Sequence, residues 1–339
     1  MDAYTDALIA AFRGTAERAK AYAADTVYFG GGTPSLLGPA RLVRLLDALR
    51  DCFVLAPGAE ITFEASPESA RDPDTLRVLR SAGFNRISLG MQSADDAELR
   101  AIGRVHTAAD TRAAVDAARA AGFDNLSLDL IYGLPSQTRA RWQENLDAAV
   151  SLAPEHLSCY ALKVEPGTAL YERRERASLP DDDAQADMYL DAAEALAAQG
   201  YAQYEISNFS RPGFASRHNL KYWTLGEYLG FGPGAHSDFG GRRFAVARDL
   251  DAFLRGGAPL SEDAAPSPRE RAAERVMLGL RLTRGLPASE LSRAEAVLNA
   301  CAAHGLAELR AESWRLTPKG FLVSNEIILR VLDALGLDG

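Results

Sequence analysis

Five strand-like runs alternate with four amphipathic stretches through the first half of the chain, and this alternation restricts the fold more than any other feature. The runs are "TVYFGGG" (26–32), "EITFEAS" (60–66), "RISLGMQS" (86–93), "NLSLDLIYGLP" (125–135) and "HLSCYALKVEP" (156–166). Between them, "ARLVRLLDALRDCF", "PDTLRVLRSAGF", "TRAAVDAARAAGF" and "ARWQENLDAAVSLA" place apolar residues every three or four positions, the period of a helix with one buried face. Two of these helices run into "AGF", with glycine just past the last turn, where a left-handed cap is cheap. Strand–helix–strand repetition calls for parallel strands joined by right-handed crossovers. An open doubly wound sheet and a (β/α) barrel both satisfy that requirement. In a barrel, however, functional groups collect at the C-terminal ends of successive strands. Here Gly30–Thr33 close the first run, Glu64 the second, Gln92 the third and "YGLP" the fourth. Asp129 alternates with Leu128 and Leu130, so it faces opposite to them. The polar set sits where a barrel mouth would be.

At 339 residues the chain exceeds the roughly 250–300 at which one core stops growing, so a large domain plus a smaller one is expected. A stretch rich in Pro, Ala and Ser, "GAPLSEDAAPSP" (257–268), reads as the linker. The expected division is a barrel over 1–170, its completion over 171–256, the linker, and a small winged-helix-like domain over 269–339. Residues 266–339 carry ten basic and nine acidic side chains, a balance of +1, and the whole chain carries −9. Nucleic-acid binding needs clustered Lys and Arg, so neither value points to it. The start, "MDAYTDALIAAFRGTAERAKAYAAD", has no basic segment before an apolar one and places Tyr4, Leu8, Ala11 and Phe12 at helical spacing. It reads as a surface helix rather than a signal peptide. No apolar run approaches the ~18 residues of a membrane span, and the expected location is cytoplasmic, with any membrane contact peripheral. Cys52, Cys159 and Cys301 are too scattered for a disulfide framework or a local metal cluster and read as small buried hydrophobes.

Several residues suggest a ligand site. "FGGGTPS" (29–35) offers bare backbone N–H groups to a ligand, though a tight structural turn accounts for the glycines equally well. The register Gly30-x-Gly32-x-x-Ser35 lacks the last glycine of a dinucleotide fingerprint, and no lysine follows as in a Walker motif. Glu64, Gln92, Arg104 and Asp129 could converge on one polar small molecule. "SRHNLKYW" (216–223) is either a ligand site or a loop whose histidine and aromatics merely pack.

"VYFGGGTPSLL", "SLGMQSADDAELRAIGRVHT", "LDLIYGLPSQT" and "YEISNFSRPGFASRHNLKYWTLGEYLGFGPGAHS" resemble the radical S-adenosylmethionine (SAM) family of oxygen-independent coproporphyrinogen oxidases, and most closely its heme chaperone branch. The resemblance extends to "RLTPKGFLVSNEIILRVL" near the C-terminus. It implies a partial (β/α)6 barrel binding SAM, with Gly31, Gly32 and Thr33 at its methionine end and Glu64, Gln92, Arg104 and Asp129 as polar contacts. His218, Asn219, Tyr222 and Trp223 match an HNxxYW signature linked to heme, with His218 as the iron ligand and Tyr222 as an alternative. The implied function is to bind heme and deliver it to an acceptor hemoprotein. The alternative is oxidative decarboxylation of coproporphyrinogen III in porphyrin biosynthesis.

One departure qualifies the resemblance. The family carries a C-x-x-x-C-x-x-C loop whose thiolates hold a [4Fe–4S] cluster, and no such loop is present here. The first barrel strand is missing as well, which leaves "TVYFG" as an exposed edge. The reading is therefore of a chain truncated at its N-terminus, in which radical catalysis is not expected.

Overall fold

The computed structural model describes residues 1–172, 178–257 and 259–338. The chain opens with helix α1 (Asp2–Ala19) and then alternates β1 (Ala23–Phe29), α2 (Pro39–Cys52), β2 (Val54–Ala65), α3 (Pro73–Ala82) and β3 (Arg86–Gln92). Two helices, α4 (Asp96–Ala101) and α5 (Ala108–Ala120), precede β4 (Leu126–Tyr132), and α6 (Arg139–Ser151) leads to β5 (His156–Ala161). Next come α7 (Ala169–Glu172), α8 (Asp182–Ala198), β6 (Ala202–Glu205) and β7 (Asn208–Ser210). One sheet runs in the order β1-β2-β3-β4-β5-β7-β6. β1 to β5 pair in parallel, while β7 and β6 close the series antiparallel. This is a curled half-barrel, with β1 at its edge as expected.

Local chemistry explains the boundaries. Asp72 caps α3 by accepting from the Asp74 and Thr75 N–H groups at 3.1 and 3.2 Å, and Gly83 ends that helix in the left-handed region (φ 111°). Thr107 and Asp110 form a reciprocal capping box on α5. The outer face of the sheet is apolar and lies under the helices. Phe63, Phe84 and Phe123 pack edge to face there, and each is almost fully buried. The Trp142 indole N–H donates to the Met188 carbonyl at 2.7 Å and ties α6 to α8. The inner face alternates with this core and is polar: Glu60, Thr62 and Glu64 on β2, Arg86 and Ser88 on β3, Ser127 and Asp129 on β4, His156 and Ser158 on β5.

The rest of the chain forms α9 (Arg217–Trp223), a second sheet of β8 (His236–Phe239), β9 (Arg242–Val246) and β10 (Leu260–Ala264), and a short helix, α10 (Leu250–Leu254). The stretch read as a linker is therefore partly a strand: residues 260–264 pair antiparallel with β9, and Ala258 lies outside the described residues. Residues 173–177, beside the expected 170/171 division, lie outside them too. The C-terminal part comprises α11 (Pro268–Gly279), β11 (Leu286–Pro287), α12 (Glu295–Ala303), β12 (Ala307–Arg310), β13 (Ser313–Leu316), α13 (Pro318–Leu322) and α14 (Ser324–Leu335). Its hairpin follows a helix and precedes the last two. It is not an isolated bead. Ile206 N–H donates to the Arg281 carbonyl at 3.1 Å and Thr283 N–H to that of Tyr204, and one apolar cluster runs from Leu157 through Leu280 to Val331. Of the three cysteines only Cys159 is fully buried. Cys52 and Cys301 are half-buried because each sits on a helix flank rather than inside a sheet.

Candidate functional site

The site begins where β1 ends. Gly31 adopts φ +125°, a conformation costly for any residue with a Cβ, and its N–H donates to Glu64 Oε2 at 3.2 Å. The other carboxylate oxygen accepts from the Tyr28 hydroxyl at 2.7 Å. A Cβ on Gly30 would fall 2.5 Å from the Tyr28 ring, so glycine is required there by close approach. Among the described residues nothing approaches within 4 Å of the Cβ position of Gly32, which leaves that backbone uncrowded. Thr33 precedes a 3₁₀ turn at Pro34–Leu37 and accepts the Leu36 N–H through its carbonyl at 3.0 Å.

Asp129 lies deeper on the inner face. Burial, reinforced by the charge of Glu64, pushes its carboxyl up to about 6 against the pull of the Ser158 hydroxyl, Arg86 and Ser88. The Ser88 hydroxyl is 3.4 Å from both of its oxygens. Gln92 is the last residue of β3, buried, and held at φ +64° beside an irregularity in the β3–β4 register. A non-glycine residue in that conformation is uncommon, and here it accompanies the break in the ladder at the end of β3. The structure thus gathers the glycine turn, Glu64, Gln92 and Asp129 at one end of the sheet. It does not gather Arg104, which is exposed between α4 and α5; among the described residues no hydrogen bond or ion pair joins its side chain to that set.

The second half of the site is α9. Ser216 caps this short helix through the Asn219 N–H (3.3 Å), and Glu60 on β2 accepts from the Arg217 and His218 N–H groups at 3.0 Å each. His218 is thereby set against β1. Its Nδ1 is 2.8 Å from the Thr26 hydroxyl, its Nε2 is 2.9 Å from the Tyr222 hydroxyl, and its ring stacks on Tyr28 at 4.9 Å and 13°. Burial, helped by the Lys221 ammonium, pushes the imidazole down to about 4, so it is neutral near pH 7. Lys221 in turn pairs with Asp25 at 2.6 Å.

Tyr28 joins the two halves: its hydroxyl belongs to the Glu64 carboxylate and its ring face to His218. A cavity of about 940 Å³ opens along the free edge of β1, lined chiefly by apolar side chains such as Phe12, Phe29, Phe53 and Phe231, with His218 and Tyr222 on its wall. Asn219 and Trp223 do not line it. The Asn219 amide instead donates to the Tyr204 hydroxyl and to Glu205 Oε1, both at 3.2 Å, which ties α9 to β6. The Trp223 indole N–H is buried without a hydrogen-bond partner among the described residues.

Thr26, Tyr28, Glu60 and Tyr204 were not singled out from sequence. A signal for Glu60 existed in the alternation Glu60, Thr62, Glu64 against Ile61 and Phe63, which marks a polar inner face. Nothing local announced the contacts from Thr26 and Tyr28 to a helix some 190 residues away.

The residues present do not fit an iron–sulfur cluster. Burial pushes the Cys159 thiol well up and raises that of Cys301, both opposing thiolate formation, and the three cysteines belong to three separate elements. Among the described residues no group of three His, Cys, Asp or Glu could hold a metal ion. The cavity does fit a large flat ligand with an iron centre: it offers a neutral imidazole, aromatic faces and apolar walls.

The model of the Radical SAM superfamily matches residues 9–149, and that of the HemN C-terminal domain residues 267–323. The chain is 42% identical over 324 residues to the heme chaperone HemW of Mycobacterium tuberculosis, covering 91% of this chain and 80% of that protein. It is 37% identical over 320 residues to HemW of Bacillus subtilis, covering 89% and 84%. Among solved structures, coproporphyrinogen III oxidase (HemN) of Escherichia coli, a radical SAM enzyme, superposes with a TM-score of 0.83 at 26% identity over 97% of this chain and 82% of that one.

Proposed function

The chain belongs to the HemW heme chaperone family of radical SAM proteins, and from that premise we propose that it binds heme at His218 and passes it to an acceptor hemoprotein. The observation that carries this reading is a neutral, sterically fixed imidazole on the wall of an apolar cavity large enough for a tetrapyrrole. A neutral imidazole presents a lone pair to iron, which an imidazolium cannot do. Tyr28 covers one face of the imidazole and Tyr222 meets its edge, and Lys221, paired with Asp25, lies on the cavity wall where a carboxylate substituent would meet a cation. Of the four signature residues, His218 and Tyr222 would touch heme. Asn219 instead anchors α9, and Trp223 packs off the cavity wall.

SAM is the second ligand of this reading. The uncrowded backbone at Gly31 and Gly32 beside Thr33, with Glu64, Gln92 and Asp129 nearby, suits a zwitterionic amino acid attached to a ribose, which would compete with Glu64 for the Gly31 N–H. Arg104 would require a loop movement to join them. In the family a [4Fe–4S] cluster supplies the electron that cleaves SAM, and among the described residues no set of cysteines would hold one.

The test is a hemin titration of wild type and His218→Ala. A Soret shift and saturable binding lost in the variant are expected. Equal affinity and an unchanged Soret band would reject His218 as ligand. A second reading, coproporphyrinogen oxidation, draws on the HemN superposition. Anaerobic iron–sulfur reconstitution that yields a brown protein forming 5′-deoxyadenosine from SAM would favour it.

A further inference from the structure

Both ring nitrogens of His218 are engaged by hydroxyl groups, Nδ1 by Thr26 and Nε2 by Tyr222. A neutral imidazole carries a single N–H, so one hydroxyl must donate to the ring and the other must accept from it. The two are not equivalent. A phenol is far more acidic than an aliphatic alcohol, hence the better donor, and the alcohol is the better acceptor. The favoured order has Tyr222 O–H donating to Nε2 and Nδ1–H donating to Thr26 Oγ1.

The surroundings differ in the same sense. Thr26 lies within β1 and pairs in register with Glu60, the carboxylate that holds the N-terminus of α9, so the spacing between the threonine and the histidine is set by one strand pair. Tyr28, two residues along the same strand, covers one face of the ring. Tyr222 is 42% exposed and meets His218 and Tyr228 only edge-on (87° and 90°), so its phenol can swing away without opening a buried void. One partner is fixed and the other is free to leave.

We propose that Thr26 is a positioning residue that sets the His218 tautomer and so makes Nε2 the iron-binding nitrogen, while Tyr222 caps that nitrogen until heme displaces it. This rests on the heme-binding reading above. A hydrogen bond from the far nitrogen of a ligating histidine fixes the ring and raises its basicity, and losing such a partner typically costs about 10–100-fold in affinity. The cap acts in the opposite sense, because heme must break the Tyr222 hydrogen bond before it binds.

The experiment combines hemin titration of Thr26→Val, Thr26→Ser, Tyr222→Phe and His218→Ala with 15N–1H correlation of the histidine rings in heme-free protein. The chain has five histidines, so the His218 signals are assigned by their loss in His218→Ala. Expected are a protonated Nδ1 in wild type, mixed tautomers and about 10–100-fold weaker hemin binding in Thr26→Val, and recovery of both in Thr26→Ser. Tyr222→Phe should bind hemin about two- to tenfold more tightly, the worth of one hydrogen bond. If His218→Ala abolishes binding but Thr26→Val matches wild type in affinity and tautomer, the role of Thr26 is overturned and heme binding stands. If Tyr222→Phe abolishes binding, Tyr222 is a ligand and the cap is overturned. If His218→Ala binds hemin like wild type, the heme reading itself fails, while the ring spectra still report whether Thr26 sets the tautomer.

Discussion

Glu60 and His218 are 158 residues apart in sequence, yet the Glu60 carboxylate accepts the His218 backbone N–H at 3.0 Å. The same carboxylate takes the Arg217 N–H at 3.0 Å and lies 3.4 Å from the Ser216 hydroxyl, so a barrel strand holds the first turn of α9. A seven-residue helix is too short to persist alone, and its stability is borrowed from this contact.

Glu60→Ala should therefore cost about 1–3 kcal/mol, the penalty for buried donors left without an acceptor. Glu60→Gln, which keeps one acceptor oxygen, should cost less. Urea denaturation measures the loss, and faster amide exchange across 217–223 locates it. Unchanged exchange there would show that α9 does not depend on Glu60.

Asp129→Asn should stabilise the protein at alkaline pH. Burial raises the native carboxyl to about 6 from an ordinary value near 3.8. The native state thus holds a proton that the unfolded chain has released, and stability falls as pH rises through this window. The loss is on the order of 2–3 kcal/mol at 1.36 kcal/mol per unit. The amide cannot ionise, so the variant should exceed wild type in urea midpoint at pH 8 and approach it near pH 4. SAM binding should weaken at the same time, the usual exchange of stability for function at a site.

His156 works in the opposite direction. It lies buried between the Ser127 hydroxyl (2.7 Å) and the Tyr204 hydroxyl (2.8 Å), and burial, with Arg86 nearby, holds it neutral well below its ordinary value of 6.5. The unfolded chain takes up a proton as pH falls past 6.5 and the native state does not, so stability declines at up to about 1.4 kcal/mol per pH unit. His156→Gln should show a shallower decline between pH 7.5 and 5.5 than wild type. Parallel curves would refute the assignment.

Asp238 on β8 joins the second sheet to the C-terminal region. It accepts from Arg271 of α11 at 2.6 Å and from Arg243 at 3.0 Å, and Glu274 completes the network by accepting from Arg243. The aspartate is nearly buried while its arginines are partly solvated. Asp238→Ala should cost about 2–3 kcal/mol, below the 3–5 of a fully buried pair. Limited proteolysis should then cut between residues 260 and 268 sooner than in wild type.

The strand–helix alternation was readable because period-2 and period-3.6 patterns are local, and β1 to β5 lie close to the runs that predicted them. Boundaries shifted where register intervenes. β2 begins at Val54 rather than residue 60, because Ala23 and Ala24 of β1 pair with Val54 and Leu55 across a bulge. The supposed linker became β10 because β9 offered it an edge, although its composition favours loops. That Glu64, Gln92, Asp129 and the glycine turn share one end of the sheet was legible from their places along successive parallel strands. The Asn219 amide bonds Tyr204 and Glu205 on β6, contacts that an amide in a local motif gives no hint of.

By itself the sequence determined the barrel class, the family and the scarcity of soft donors, since periodicity, motif spacing and residue identity all reside in neighbouring positions. Only the tertiary structure decided which residues surround His218. Thr26, Tyr28 and Glu60 reach it through parallel strand register and the docking of one short helix. Those are long-range choices, settled by which polar groups find partners when the inner face closes.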